Sequence, residues 1–136
     1  MFKTILVPID MSHVLEGKAT IDIAAQHANA GAKIILLNVV EDIPIWAAAE
    51  IPTALIDDSL KNAQIGLKAI ANASGLKVET EVRSGHPYQT ILAVAKEKLV
   101  DLIIIASHRP GLQDYFLGST AAKVVRHASC SVMVIR

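Results

Sequence analysis

The chain has 136 residues, enough for one domain with a proper core, and its 52% hydrophobic and 19% charged content belong to a packed globular protein rather than a disordered one. Thirteen basic residues balance thirteen acidic ones. That balance argues against nucleic acid and against adsorption on an anionic membrane, because phosphate backbones and anionic lipids select clustered positive charge. Aromatics make up only 4%, so Ile, Val, Leu and Ala must build the core. Cys130 is the single cysteine, which excludes an intramolecular disulfide and fits a reducing, cytoplasmic location. The opening apolar run is short, contains Pro8 and ends at Asp10, unlike a signal peptide. No run approaches the roughly 18 apolar residues of a membrane-spanning helix.

The first predicted element is a strand, Ile5–Ile9, in a continuous apolar run. A helix is expected over 13–30, where Ile21, Ala24, Ala25 and Ala28 share a face. Ile34–Val40 is a second buried strand. An irregular piece, Glu41–Pro52, follows and holds the only tryptophan, Trp46. A helix over 54–74 carries Ile56, Leu60, Ala63, Leu67 and Ile70 at spacings of three and four, and Gly75 ends it as a left-handed cap. Lys77–Arg83 alternates and reads as an edge strand. Pro87 opens a helix over 87–99 with Ile91, Leu92, Ala95 and Leu99 as its stripe. Leu102–Ala106 and Val132–Ile135 are the fourth and fifth strands, separated by a helix over 119–128. Continuous apolar runs suit strands buried on both faces. Strict β-α alternation then predicts an α/β fold: a mainly parallel, five-stranded sheet, doubly wound with helices on both faces, in a single domain over residues 1–136.

In such sheets, ligands bind beyond the carboxyl ends of the strands where the winding reverses. Three segments are expected there: Pro8, Ile9 and Asp10 with the two residues after them, Asn38 to Glu41, and the loop after the fourth strand, Ala106 to Thr120. Gly118 lets the backbone approach a ligand, and Ser119 and Thr120 add hydroxyls to the open amides of a helix start, a favourable place for an anion. Gly-Ser-Thr is equally an ordinary helix start. The segment is neither a Walker A loop nor G-x-G-x-x-G. Asp10 either accepts hydrogen bonds from a base or ribose or ties down its own turn, and both can hold at once. Arg109 can pair with phosphate oxygens and His108 can donate a ring N–H; the alternatives are a solvated arginine and a backbone-bonded histidine. Ser107 and His108 are adjacent and make no catalytic dyad. His13, His27, His86 and His127 lack metal-ligand spacing, and Cys130 reads as a packed, inert thiol.

The opening strand Ile5 to Asp10, the Gly85-His86-Pro87 turn, the run Asp101 to His108 and the closing run Leu117 to Arg136 together resemble the universal stress protein family over essentially the whole chain. The resemblance implies a five-stranded parallel sheet and, in many members, ATP held by a Gly-x-x-Gly, nine-residue spacer, Gly-Ser/Thr pattern. Here Ala106 and Arg109 stand at the first two glycine positions, and eight residues, Pro110 to Leu117, precede Gly118. The variant Ala106-Ser107-His108-Arg109-Pro110 is similar to the family's F and G branch, whose members are associated with nucleotide binding despite an altered loop.

On this footing the expected nucleotide site comprises Pro8, Ile9, Asp10, Val39, Ile105, Ala106, Ser107, His108, Arg109, Gly118, Ser119 and Thr120. Asp10 and the Val39 backbone would hold adenine. Ala106, Ser107 and His108 would line the ribose and α-phosphate. Arg109, Gly118, Ser119 and Thr120 would hold phosphates, with Mg²⁺ neutralising the tail. ATP is the expected ligand, with AMP or ADP as alternatives, in a regulatory stress-response protein with slow or no hydrolysis and no assigned catalytic or metal-ligating residue. Gln113 and Asp114 lie in the loop, yet nothing in the sequence aims them at a γ-phosphate. The competing expectation is a non-nucleotide module in which the dimer or the Trp46 loop contacts a transporter or regulator. The resemblance also implies a homodimer joined by antiparallel pairing of the last strands, Ser131 to Arg136.

Overall fold

The computed structural model describes residues 1–42, 45–107 and 117–136. The elements in chain order are β1 (Phe2–Pro8), α1 (Val14–His27), β2 (Ala28–Glu41), α2 (Ile45–Ala48), α3 (Thr53–Ser74), β3 (Glu79–Gly85), α4 (Pro87–Glu97), β4 (Leu102–Ala106), α5 (Ser119–His127) and β5 (Ser131–Ile135). The five strands form one parallel sheet in the order β3-β2-β1-β4-β5. The first crossovers wind outward from β1 towards β3, and the chain then returns to the other side of β1 for β4 and β5. The winding reverses between β1 and β4, which opens a crevice at their carboxyl ends.

The apolar runs build two cores because strand side chains alternate between faces. On one face Ile5, Val7 and Ile9 join Ile34, Leu36, Leu102 and Ile104 against Ile21 and Ala24 of α1 and Leu67 and Ala71 of α3. On the other, Leu6, Ile35, Leu37, Ile103 and Ile105 meet Ile91, Val94 and Ala95 of α4 and Ala121 and Val124 of α5. Ile5, Leu6, Leu36, Ile103 and Ile104 are completely buried, and each such side chain contributes roughly 1.5–3 kcal/mol. The central strands therefore need apolar residues at every position, which explains why their sequences do not alternate.

The expected elements are present with shifted ends. α1 stops at His27 rather than at 30, and β2 begins at Ala28. Gly31 sits in the left-handed region, at φ 77°, within this early part of β2. Alanine spacing cannot distinguish a last helical turn from an extended entry, so the boundary is set by pairing with β1, where Phe2 lies opposite Ala28. Four residues of the expected irregular piece form the short helix α2. Gly75 is the left-handed cap of α3, at φ 69° with its amide bonded to the Asn72 carbonyl. β3 is an edge strand, and Pro87 occupies the first position of α4.

At the amino end of the sheet, Asp101 joins β1 to β4. Its two carboxylate oxygens accept the Lys3 and Thr4 amides at 2.9 Å each, and its own amide donates to the Thr4 carbonyl at 3.0 Å. Burial works against its charge, but these amides prevail and hold the carboxyl below its ordinary value.

Candidate functional site

The strand ends and helix starts enclose a cavity of about 290 Å³. Its walls come from five places: Pro8 at the end of β1 with Ile9 and Asp10 after it; the start of α1; Leu37 to Val39 and Glu41 of β2; Pro87 and Ile91 of α4; and Ile105 and Ala106 of β4 with Gly118 and the first three residues of α5. Its size lies at the small end of the range for ligand pockets, about 300–1,000 Å³.

Asp10 marks the exit from β1. One carboxylate oxygen accepts the Ser12 amide at 2.8 Å, and the other lies 3.1 Å from His13 Nδ1. The Asp10 carbonyl accepts the His13 amide at 3.0 Å, which closes the turn into α1. Asp10 therefore does tie down its own turn, and it also lines the cavity. Partial burial opposes its charge; the Ser12 amide and the His13 ring outweigh that cost, so its carboxyl sits below the ordinary value and is ionised at neutral pH.

Asn38 forms part of the floor. It is buried, and its side-chain amide donates to the Ile9 carbonyl at 2.8 Å, while the Ile9 amide donates to the Leu37 carbonyl. This pair of bonds holds the residue after β1 against β2, although Ile9 has left the strand. A buried amide used in this way fixes the shape of the adjoining turn.

At the opposite wall, α5 starts at Ser119, with Gly118 as its N-cap. Gly118 has no side chain to satisfy the first turn, and the first intrahelical bond runs from the Ala122 amide to the Gly118 carbonyl at 2.9 Å. The amides of Ser119, Thr120 and Ala121 therefore have no acceptor inside the helix. The Gly118 amide is differently engaged: it donates to Ser107 Oγ at 3.0 Å. Ser107 is thus the clasp that brings the end of β4 to the start of α5, and its own amide bonds the Ile135 carbonyl at 2.8 Å.

Of the expected site residues, Pro8, Ile9, Asp10, Val39, Ile105, Ala106, Gly118, Ser119 and Thr120 line the cavity together. Ser107 reaches it through the Gly118 clasp. His108 and Arg109 lie outside the described residues. The cavity also includes Glu41, at the end of the Asn38 to Glu41 segment expected at this edge, and His13, Glu16 and Gly17 from the start of α1 with Pro87 and Ile91 from α4, which sequence reasoning did not assign to it. A signal for them existed: in a doubly wound sheet, the first turn of each helix after a strand lies at the same edge as the strand ends. Gly17 permits the close packing of α1, since a Cβ there would lie 3.2 Å from the Ile9 side chain.

Elsewhere, Cys130 is half-buried and burial pushes its thiol up, in keeping with an inert packed residue. His27 bonds the Ile23 carbonyl and His127 stacks on Tyr88. Among the described residues, no cluster of three or more His, Cys, Asp or Glu side chains could hold a metal, and no helix is long and apolar enough to cross a membrane.

The fold and the cavity define a doubly wound α/β protein whose switch point is open between β1 and β4. The family model of the universal stress protein family matches residues 1–136, and the chain belongs to that family. Universal stress protein MJ0531 of Methanocaldococcus jannaschii is 31% identical over all of this chain and 83% of the relative. Universal stress protein YxiE of Bacillus subtilis is 32% identical over the full length of both. The solved structure of MJ0577, also from Methanocaldococcus jannaschii, superposes with a TM-score of 0.80 at 27% identity, covering 99% of this chain and 96% of that one. Two further universal stress protein structures share the fold. One is in complex with cAMP, with TM-score 0.73, 24% identity and 99% and 97% coverage. The other, from Archaeoglobus fulgidus, is in complex with dAMP, with TM-score 0.61, 18% identity and 98% coverage of each chain.

Proposed function

We propose that this universal stress protein binds an adenine nucleotide in the β1/β4 cavity and acts through that occupancy as a regulatory protein rather than as a catalyst. The observation that carries the reading is the pairing, across one cavity, of an ionised carboxylate at Asp10 with the open first turn of α5. Asp10 and the Val39 backbone offer hydrogen-bond partners to the base, because a carboxylate accepts from an exocyclic amino group and a backbone offers both donor and acceptor. Pro8, Ile9, Ile105 and Ala106 form the walls, with Ser107 holding the rim. Ser119, Thr120 and Ala121 present amides to a phosphate, helped by the helix dipole. His108 and Arg109 extend the phosphate contacts in this scheme, and Mg²⁺ accompanies a longer phosphate tail. Two structural neighbours carry cAMP and dAMP; at their level of identity the likeness concerns the fold, and the argument for this chain rests on its own cavity.

The same reading includes a homodimer, since β5 ends the sheet order and leaves an edge. A second reading, an interaction module, draws on Trp46, which is 82% exposed. Calorimetry of nucleotide-stripped protein with adenosine, AMP and ATP separates the two: saturable binding supports the cavity reading, and its absence for all three ligands overturns it.

A further inference from the structure

Among the described residues the buried polar side chains are Thr20 and Asn38. Thr20 donates its hydroxyl to the Gly17 carbonyl at 2.7 Å inside α1 and does not line the cavity. Asn38 does line it, with only 7% of its surface exposed. Its Nδ2 donates to the Ile9 carbonyl at 2.8 Å. That bond fixes which way the amide is turned, because the flipped amide would set oxygen against oxygen. Oδ1 therefore points away from the Ile9 carbonyl, and it accepts no hydrogen bond from the described residues. Strand geometry says which part of Asn38 the cavity meets. The Ile9 amide donates to the Leu37 carbonyl, so the backbone groups of Leu37 face β1. By alternation those of Asn38 face β3, where Val82 lies opposite, and those of Val39 turn back to the β1 side. The side chain is then the polar part that Asn38 can offer the cavity. A buried acceptor without a donor is costly, and a ligand that brings a donor recovers the loss.

Building on the nucleotide reading, we infer that Asn38 is a specificity-determining residue: its Oδ1 accepts a hydrogen bond from the exocyclic amino group of the base, so that the site requires a donor at that position of the purine. The place of Asn38 selects base over ribose. It lies on β2, between Val39 and the turn that carries Asp10, the two partners of the base in that reading. The ribose belongs with Ala106 at the end of β4, on the far side of β1. An amino group has two N–H donors, so it can serve Oδ1 and a second acceptor at once. A purine with a carbonyl at the same position would set acceptor against acceptor. Asn38 cannot answer by turning its amide over, since that breaks the bond to Ile9. A site that leaves a buried polar group unpaired by the wrong ligand discriminates more sharply than one that matches shape alone.

The experiment is calorimetric titration of nucleotide-stripped protein with AMP, inosine monophosphate, purine riboside monophosphate, which lacks the amino group, and dAMP. AMP is expected to bind about ten- to a hundredfold more tightly than purine riboside monophosphate, the range for a buried partner left unpaired, with inosine monophosphate at least as weak. The affinity for dAMP should lie within about threefold of that for AMP, because the sugar hydroxyl is not the donor. Asn38→Ala and Asn38→Ser should shrink the ratio of AMP to purine riboside monophosphate affinity by about fivefold or more. A residue that only braced the Ile9 turn would lower both ligands alike and leave that ratio unchanged, and this result in a folded variant would overturn the inference. If neither variant keeps the native circular dichroism, the readout is the Asn38 side-chain amide signal in NMR spectra of the parent protein. It should move with AMP and stay in place with purine riboside monophosphate; equal movement with both overturns the inference. Equal affinity of the parent for all four nucleotides, or a loss confined to dAMP, would overturn it too and leave the nucleotide reading standing. Failure of all four to bind overturns the nucleotide reading itself.

Discussion

Gly85 joins β3 to α4, and its replacement by alanine tests how the cavity wall is positioned. Its φ of 148° lies in a region that L residues rarely adopt, and a Cβ built there would stand 2.6 Å from Thr90 Oγ1 and 3.9 Å from Thr90 Cβ. Two penalties follow. The backbone conformation costs an alanine about 1–3 kcal/mol. The steric overlap, with a branched side chain in the first turn of α4, adds about 1–2 kcal/mol if Thr90 cannot rotate freely. Gly85→Ala should therefore destabilise the fold by about 2–5 kcal/mol, a large share of the 5–15 kcal/mol typical of a domain. With a urea slope of about 2 kcal/mol/M, the middle of the usual range, the unfolding midpoint drops by about 1–2.5 M. Thr90→Ala removes the hydroxyl while leaving Cβ at an ordinary contact distance, so the double variant should recover the steric part only. A double-mutant cycle with urea denaturation reads this as a coupling of about 1–2 kcal/mol. A single variant within about 0.5 kcal/mol of the parent would refute the conformational argument. A cycle with no coupling would refute the steric one. Because Pro87 and Ile91 of the same helix line the cavity, nucleotide affinity should fall with Gly85→Ala even at temperatures where the protein stays folded.

Other substitutions probe separate parts of the molecule. Asp10→Ala should weaken adenine-nucleotide binding by roughly 1–3 kcal/mol, the range for a lost charge-assisted hydrogen bond; unchanged calorimetric affinity in a folded variant would leave Asp10 as a turn residue only. Asp101→Asn should cost about 1–2 kcal/mol by weakening the bonds to the Lys3 and Thr4 amides. Because the folded carboxyl is depressed, its contribution is present above the unfolded value, near 3.9, and is lost as pH falls through the folded value. The stability difference between parent and Asp101→Asn should thus be constant near neutrality and shrink in acid below about pH 4; a difference persisting undiminished at pH 2 would contradict this. Val134→Pro tests the edge of the sheet. The Ile135 carbonyl accepts the Ser107 amide, so Ile135 faces β4 and, by alternation, Val134 turns its N–H to the open edge. Removing that donor should convert a dimer to a monomer by light scattering while circular dichroism stays native, and a parent protein of monomer mass would sink the proposed pairing.

Much of this architecture is written in local patterns. The runs around Ile5, Ile34 and Leu102 are apolar at every position because both sheet faces are covered, and that pattern alone implies parallel strands with helices on two sides. Gly75 and Pro87 punctuate helices through their own backbone preferences, so their roles are readable without tertiary information. Asp10, Gly118 and Thr120 could be assigned to one end of the sheet because each follows a strand or opens a helix. Tertiary structure decided the rest. The order β3-β2-β1-β4-β5 depends on which way each crossover turns, a property of packing between elements distant in sequence. The start of β2 at Ala28 was set by its pairing with Phe2, against a helix-like alanine spacing. The engagement of Ser107 with the Gly118 amide, eleven positions away, and of Asn38 with the Ile9 carbonyl, 29 positions away, arises only once strands converge. Glu41 ends a strand and so belonged to a segment expected at this edge, whereas nothing local marks Glu16; the meeting of α1 and β2 at one cavity brings Glu16 into the same lining.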